Sequence, residues 1–354
     1  MTPSTGLHRL RPVGLLVPLL LAAAGCGASP SAAATPAPAK TLRLGFFANV
    51  THATPLVGVK EGYYAKRLGA TTLETQVFNA GPAAVEALFA GSIDAAYVGP
   101  SPAVNAFTKS KGDAVRIVAG ATEGGAALVV KPGITDVSQL RGKTLATPQL
   151  GGTQDVALRH YLADHKLKTE VNGSGDVTVS PTDNATSLQL FRDGKIDGAW
   201  APEPWASRLV LEGKGSVLVD EKSLWPGGKF VTTNLLVSRK FLDRHPQTVT
   251  ALLQGQVDTN AWIAAHPAEA KTSLNAELAA LAGKGLTPAV LDRAFADITV
   301  TNDPDAASLQ TSARNAEQVG LLQSSDLKGI YDLRLLGQVL GTTIDDAGLG
   351  KKKS

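Results

Sequence analysis

The sequence is poor in the residues that build covalent or metal frameworks. Its 354 residues include one cysteine, Cys26, and one methionine, which excludes an intrachain disulfide framework. The 6 histidines (His8, His52, His160, His165, His245, His266) are scattered, with no HExxH or Cys–His spacing, so no metal site is expected. GxSxG, GxxxxGK[ST] and strand–GxGxxG patterns are all missing, which removes the usual signatures of serine hydrolases and nucleotide binders. No cofactor is expected, and catalysis is not. An excess of one charge is lacking too, since 34 Lys+Arg face 31 Asp+Glu. Apart from Lys351, Lys352 and Lys353, no local run concentrates basic charge, and no nucleic-acid partner is expected. The 44% apolar content excludes a disordered chain, and the length predicts about two domains of ordinary size.

The first residues read as a processing signal. His8, Arg9 and Arg11 precede Val13–Ala24, an apolar run of 12 residues interrupted by Pro18. A bilayer span needs roughly 20 apolar residues, so this run is the core of an export signal and not an anchor. Ala23-Ala-Gly-Cys26 resembles a bacterial lipobox, with Ala23 where leucine is usual. Residues 1–25 are then a lipoprotein signal peptide, and Cys26 is diacylated and holds the protein on the outer leaflet of the cell membrane. An ordinary secretory cleavage site leaving a free thiol is the alternative. Residues 26–40 are rich in Ala, Ser, Thr and Pro without periodicity and predict a flexible tether. Residues 346–354 read as a polar tail.

From Thr41 onward helix and strand patterns alternate, which predicts an α/β fold with largely parallel sheets. Thr41–Phe47 alternates Leu42, Leu44 and Phe46 as a strand does. Leu88-Phe-Ala-Gly-Ser-Ile-Asp-Ala-Ala-Tyr97 recurs, with one insertion, as Leu190-Phe-Arg-Asp-Gly-Lys-Ile-Asp-Gly-Ala-Trp200. Each copy is a helix stopped by glycine, then a short strand entering a proline loop, GPSP from Gly99 and APEP from Ala201. One such unit in each of two similar lobes is expected. Ala126–Pro132 and Asn234–Arg239 read as two strands crossing between them. Lobe 1 is therefore assigned residues 41–131 and 237–345, and lobe 2 residues 132–236. Helices are expected at Pro246–Ala265, Pro267–Leu281, Asp303–Leu322 and Asp326–Leu340.

Five motifs in order carry a family likeness. The run Phe47–Tyr64 (FANVTHATPLVGVKEGYY) is followed by Tyr97–Pro102 (YVGPSP), Ala201–Ala206 (APEPWA), Leu224–Thr233 (LWPGGKFVTT) and Thr299–Pro304 (TVTNDP). Together they resemble periplasmic-type solute-binding proteins of the sulfonate, nitrate and taurine uptake family, the aliphatic-sulfonate branch above all. The resemblance implies a two-lobed, hinged type II binding-protein fold that serves the membrane permease of an ABC importer. It implies capture of a small anionic solute; the sequence gives no sign of self-association, and a monomer is taken by default. Nitrate, taurine or a thiamine-pyrimidine precursor are alternative ligands. A related fold makes that pyrimidine using a cysteine-rich motif, which this chain lacks.

Elementary electrostatics points to the same solute. No Lys or Arg stands in the loops expected to face the cleft, so helix N-termini, with unpaired N–H groups and a favourable dipole, must hold the anion. Gly99-Pro-Ser101 precedes a helix expected at Pro102–Thr108, with Ser101 as its N-cap. Gly151–Asp155 precedes a helix through Tyr161 and offers Gly152, Thr153 and Gln154. Asn79–Pro82, with Gly81, precedes a third. Asn49, Thr51 and His52 follow the first strand, and Thr122 is a further polar candidate. Trp200 and Trp205, with Tyr97 and Phe47, are candidates for an apolar wall; the alternative is that Trp205 and Tyr97 fill the lobe cores. Glu203 is included among the contacts, although a carboxylate is awkward in an anion site: it is expected to face away, to cap the hinge or to meet an ammonium group. Were Glu203 and Glu123 to enter the cleft, an aminosulfonate would fit best.

Overall fold

The computed structural model describes residues 37–344. The signal peptide, Cys26 and the polar tail lie outside the described residues. The chain begins β1 (Thr41–Phe47), α1 (Ala53–Lys60), α2 (Tyr63–Leu68), β2 (Thr72–Phe78), α3 (Gly81–Phe89), β3 (Ala95–Val98), α4 (Pro100–Lys109), β4 (Val115–Gly124). It continues β5 (Ala126–Val130), β6 (Thr144–Thr147), α5 (Thr153–Asp164), β7 (Thr178–Pro181), α6 (Asn184–Arg192), β8 (Gly198–Pro202), α7 (Trp205–Leu211), β9 (Ser216–Asp220). It closes with β10 (Val231–Ser238), α8 (Arg239–Arg244), α9 (Pro246–Ala265), α10 (Pro267–Ala282), α11 (Pro288–Ala296), β11 (Ile298–Val300), α12 (Ala306–Gln318) and α13 (Arg334–Leu340).

Two sheets form, ordered β11-β4-β10-β3-β1-β2 and β7-β6-β8-β5-β9. Without β11 the two have one topology. Three parallel strands (β2-β1-β3 and β7-β6-β8) are followed by two antiparallel ones (β10-β4 and β5-β9). β3 and β8, the strands of the repeated motif, occupy equivalent central places. They are buried along their whole length, as strands with helices on both faces must be. Leu44, Phe46, Tyr97 and Leu235 pack against α1, α2, α9 and α10 on one face of the first sheet, while Val98, Ile117 and Leu236 pack against α3, α4 and α12 on the other.

Both crossings fall elsewhere than expected. β5, assigned to lobe 1, pairs with β8 and β9 in the second sheet. β10, read as part of the return crossing, lies wholly in the first sheet. The outward crossing is the β4–β5 junction, where Gly124 and Gly125 both take positive φ, 73° and 76°, a conformation only glycine adopts without strain. The return crossing is not a strand but two short helical turns, Glu221–Leu224 and Pro226–Gly228. Ordered chain also starts before Thr41. Ala39 is buried, its N–H donates to Thr248 Oγ1 (2.8 Å) and its carbonyl accepts from Thr71 Oγ1 (2.7 Å), so residues 37–40 are part of the fold and not of a tether.

Candidate functional site

β1 and β3 of the first sheet end where the loops after β6 and β8 of the second sheet arrive, and a cavity of about 30 Å³ lies between them. That is room for two or three water-sized groups. Asn49, Thr51, His52, Gly81, Gly99, Gly152, Thr153 and Gln154, all anticipated, border it, together with Phe47, Asn79, Ala80, Pro102, Pro148, Asn184, Pro202 and Thr232. No lysine or arginine is among them.

Three helices begin at this cavity, each with an N-cap that offers no side-chain bond: Ala80 before α3, Gly99 before α4 and Gly152 before α5. Their first amides therefore lack intrahelical acceptors. They are not equal as donors. α3 has proline at its second position, and α4 has Pro100 and Pro102 in its first turn, and proline carries no N–H. α5 opens Thr153-Gln154-Asp155 with every amide intact. The second sheet thus contributes the richer set of donors.

The α5 loop is held rigidly from below. The Asp155 carboxylate, fully buried, accepts from Gly151 N (2.9 Å), Thr147 Oγ1 (2.9 Å) and Arg159 Nε (3.1 Å). Arg159, also buried, donates on to Glu170 O (2.6 Å). A buried charge persists only when paired and hydrogen-bonded. Here the pair fixes the turn that presents Gly152 and Thr153.

His52 is neutral. Burial pushes its pKa down to about 3, and its Nδ1 accepts the Phe47 N–H at 3.3 Å. The proton must then sit on Nε2, making that nitrogen a donor. Asn49 Oδ1 accepts from Trp205 Nε1 at 2.8 Å. Since indole only donates, the Asn49 NH2 is left as a donor. This bond ties the first sheet's loop to α7 of the second. The halves also touch where Gly99 meets Thr153: a Cβ on Gly99 would stand 2.1 Å from Thr153 Oγ1.

Several expected contacts lie elsewhere. Trp200 is fully buried in the core of the second sheet and donates Nε1 to Glu221 at 2.6 Å. Tyr97 likewise fills the first core and bonds Tyr64 and Gln256 through its hydroxyl. Ser101 is not an N-cap: Gly99 takes that place because Pro100 occupies the first helical position, and Ser101 Oγ is buried without a partner. Thr122 is buried on β4, off the cavity. Glu203 turns inward to cap α7, accepting from Ser207 N (3.1 Å) and Ser207 Oγ (2.9 Å). Glu123 lies on a separate hollow beside Trp225 and Lys229. Trp205 lines a second cavity of about 90 Å³, with Ala48, Val77, Phe78, Asp183 and Ala185, that shares Asn49, Asn79 and Asn184 with the first. Asn184 and Thr232 were not anticipated. Asp183 N-caps α6 through Thr186 N (3.0 Å), a signal the Asp-Asn-Ala-Thr sequence did carry.

Residues 35–280 match the NMT1-like family. The chain belongs to that family. Among curated relatives of this NMT1-like chain, the taurine-binding periplasmic protein of Escherichia coli (strain K12) is 29% identical over 212 residues, 60% of this chain and 63% of that protein. The match thus spans just under two thirds of that relative. The alkanesulfonate-binding protein SsuA from Xanthomonas axonopodis pv. citri, solved bound to MOPS, is 23% identical, with a TM-score of 0.68 over 82% of this chain and 97% of that one. The periplasmic nitrate-binding protein NrtA from Synechocystis PCC 6803 is 18% identical, with a TM-score of 0.73 over 86% of this chain and 89% of that one. At these identities the two structures establish the shared two-sheet fold.

Proposed function

We propose that this NMT1-like protein is the extracytoplasmic solute receptor of an ABC importer, and that it grips the head group of a small organic anion, an aliphatic sulfonate, between its two halves. One observation carries this reading: three uncapped helix N-termini from both sheets converge on one cavity that has no basic side chain. Amides aimed at an anion inside a low-dielectric cleft make hydrogen bonds of roughly 1.5–3 kcal/mol each. The cavity's small size suits a head group of three oxygens. The adjoining cavity, walled by Val77, Phe78 and Trp205, suits a short apolar tail. The taurine-, alkanesulfonate- and nitrate-binding relatives agree with this class of solute.

A second reading, an aminosulfonate, is favoured by one group. The Asp183 carboxylate stands at the outer cavity, where it would meet a terminal ammonium; Glu123 and Glu203, off the main cavity, do not supply that contact. Calorimetric titration with ethanesulfonate, taurine, nitrate and bicarbonate separates the readings. Ethanesulfonate binding at least tenfold tighter than nitrate supports the sulfonate, taurine above both supports the aminosulfonate, and binding of nitrate alone refutes both. Thr153→Pro isolates the grip. Proline is well tolerated at the first helical position, so the fold stays intact while one amide is lost, and affinity should fall roughly tenfold or more. Unchanged affinity would show that α5 is not the clamp.

A further inference from the structure

The far end of the first sheet carries another, larger hollow. Its volume is about 410 Å³, and its walls include Lys111, Arg116, Arg239 and Lys328 against Asp113 and Asp326. These residues come from the end of α4, the start of β4, the start of α8 and the loop before α13, so no local run of the sequence reveals them together. Arg116 donates from Nη1 to the carbonyls of Gly112 and Val115, both at 2.6 Å, and lies over the Phe107 ring at 5.7 Å. Among the described residues, Lys111, Arg116 and Lys328 pair with no carboxylate. Arg239 pairs with Asp113 (3.0 Å) and Asp243 (3.7 Å), both widely exposed and so screened by water. Burial and the neighbouring Arg239 push the Arg116 pKa below its ordinary value, while Asp113, Asp243 and Asp332 act the other way; the wall of the hollow itself carries four cations against two carboxylates.

Strand register fixes where this hollow lies. Ser238 pairs with Val115 and Val237 with Ala95, whereas Asn234 pairs with Val98. The Arg116–Arg239 end is therefore opposite the cleft. It is also the end at which β1 begins and at which the described chain starts. His245 Nδ1 lies 3.0 Å from Ala37 O, beside α8. Ten residues separate Ala37 from Cys26, at most about 35 Å of extended chain.

We propose that this hollow seats the phosphate of an anionic phospholipid headgroup, so that the receptor rests on the outer leaflet with its cleft turned to the medium. The inference builds on the extracytoplasmic placement proposed above, and lipidated Cys26 would keep the hollow within reach of the leaflet. Lipid is favoured over a free phosphate by the position of the hollow at the tethered end. A membrane, unlike a single ion, engages the exposed Lys111 and Lys328 and the neighbouring arginines at once.

The full chain, carrying Cys26→Ser so that no acyl chain contributes, would be titrated with phosphatidylglycerol vesicles, with phosphatidylcholine vesicles, and with inorganic phosphate. Saturable binding of the phosphatidylglycerol, at least tenfold tighter than either of the others, is expected. Lys111→Gln with Lys328→Gln, both exposed and free of structural bonds from their side chains, should weaken it roughly thirtyfold. Equal binding of the two lipids, phosphate binding as tightly as phosphatidylglycerol, or no effect of the double substitution would overturn the proposal. Sulfonate affinity measured on the same double variant should stay unchanged. A protein that binds phosphatidylglycerol but no sulfonate would retain the hollow and lose the cleft reading, and the reverse result would do the opposite.

Discussion

At the scale of single residues, the site depends on what is small and what is buried. Gly99 has an ordinary φ of −71°, so Gly99→Ala strains nothing in its own backbone. Its only severe contact is across the cleft, with Thr153 Oγ1. The variant should fold normally yet bind solute at least tenfold more weakly, because the two halves can no longer meet. Adding Thr153→Ala, which removes that hydroxyl, should recover part of the loss in the same calorimetric assay. Asp155→Ala acts differently, since it leaves the Arg159 guanidinium buried and unpaired. A cost of about 3–5 kcal/mol is expected, read as a lower urea midpoint with an unchanged slope.

At the scale of elements, the parts of the fold that were legible in the sequence are those whose signal is local. β1 and α9 follow from alternation and from Pro246 at a helix start, and the Ile-Asp repeat gives the two equivalent central strands. What stayed hidden was partnership. Ala126–Val130 and Val231–Val237 are both short apolar runs, and nothing in either states which sheet it joins. Trp200 misled for a similar reason: β8 is buried on both faces, so periodicity does not tell the cleft side from the core side. Ser101 misled because a serine beside two prolines looks like a cap, yet Pro100 with its fixed φ claims the first helical position and moves the cap back to Gly99. The loop-to-helix link between the halves is testable at Trp205. Trp205→Phe keeps an aromatic ring, smaller by the pyrrole portion, and deletes the Nε1–Asn49 bond. Solute affinity should drop about three- to tenfold, the worth of one hydrogen bond, with little change in melting temperature.

At the scale of the whole molecule, buried ionisable groups set the dependence of stability on pH. Burial raises Glu203 and Glu221 from 4.5 to about 7 and lowers His52 from 6.5 to about 3. Each carboxyl stabilises the fold below its unfolded pKa, and that contribution is lost as pH rises through about 7; it amounts to roughly 3 kcal/mol per group. The imidazole works oppositely, contributing above 6.5 and losing that contribution as pH falls toward 3. Between 4.5 and 6.5 two carboxyls oppose one imidazole, and from there to about 7 only the carboxyls act. The melting temperature should therefore fall from pH 5 to pH 8, and Glu221→Gln should flatten the decline. The absence of Lys and Arg from the cavity wall has a consequence for salt dependence. An anion held there on the reading proposed above would meet amide dipoles and no side-chain cation, so added salt has no facing charge to screen and affinity should hardly change as ionic strength rises.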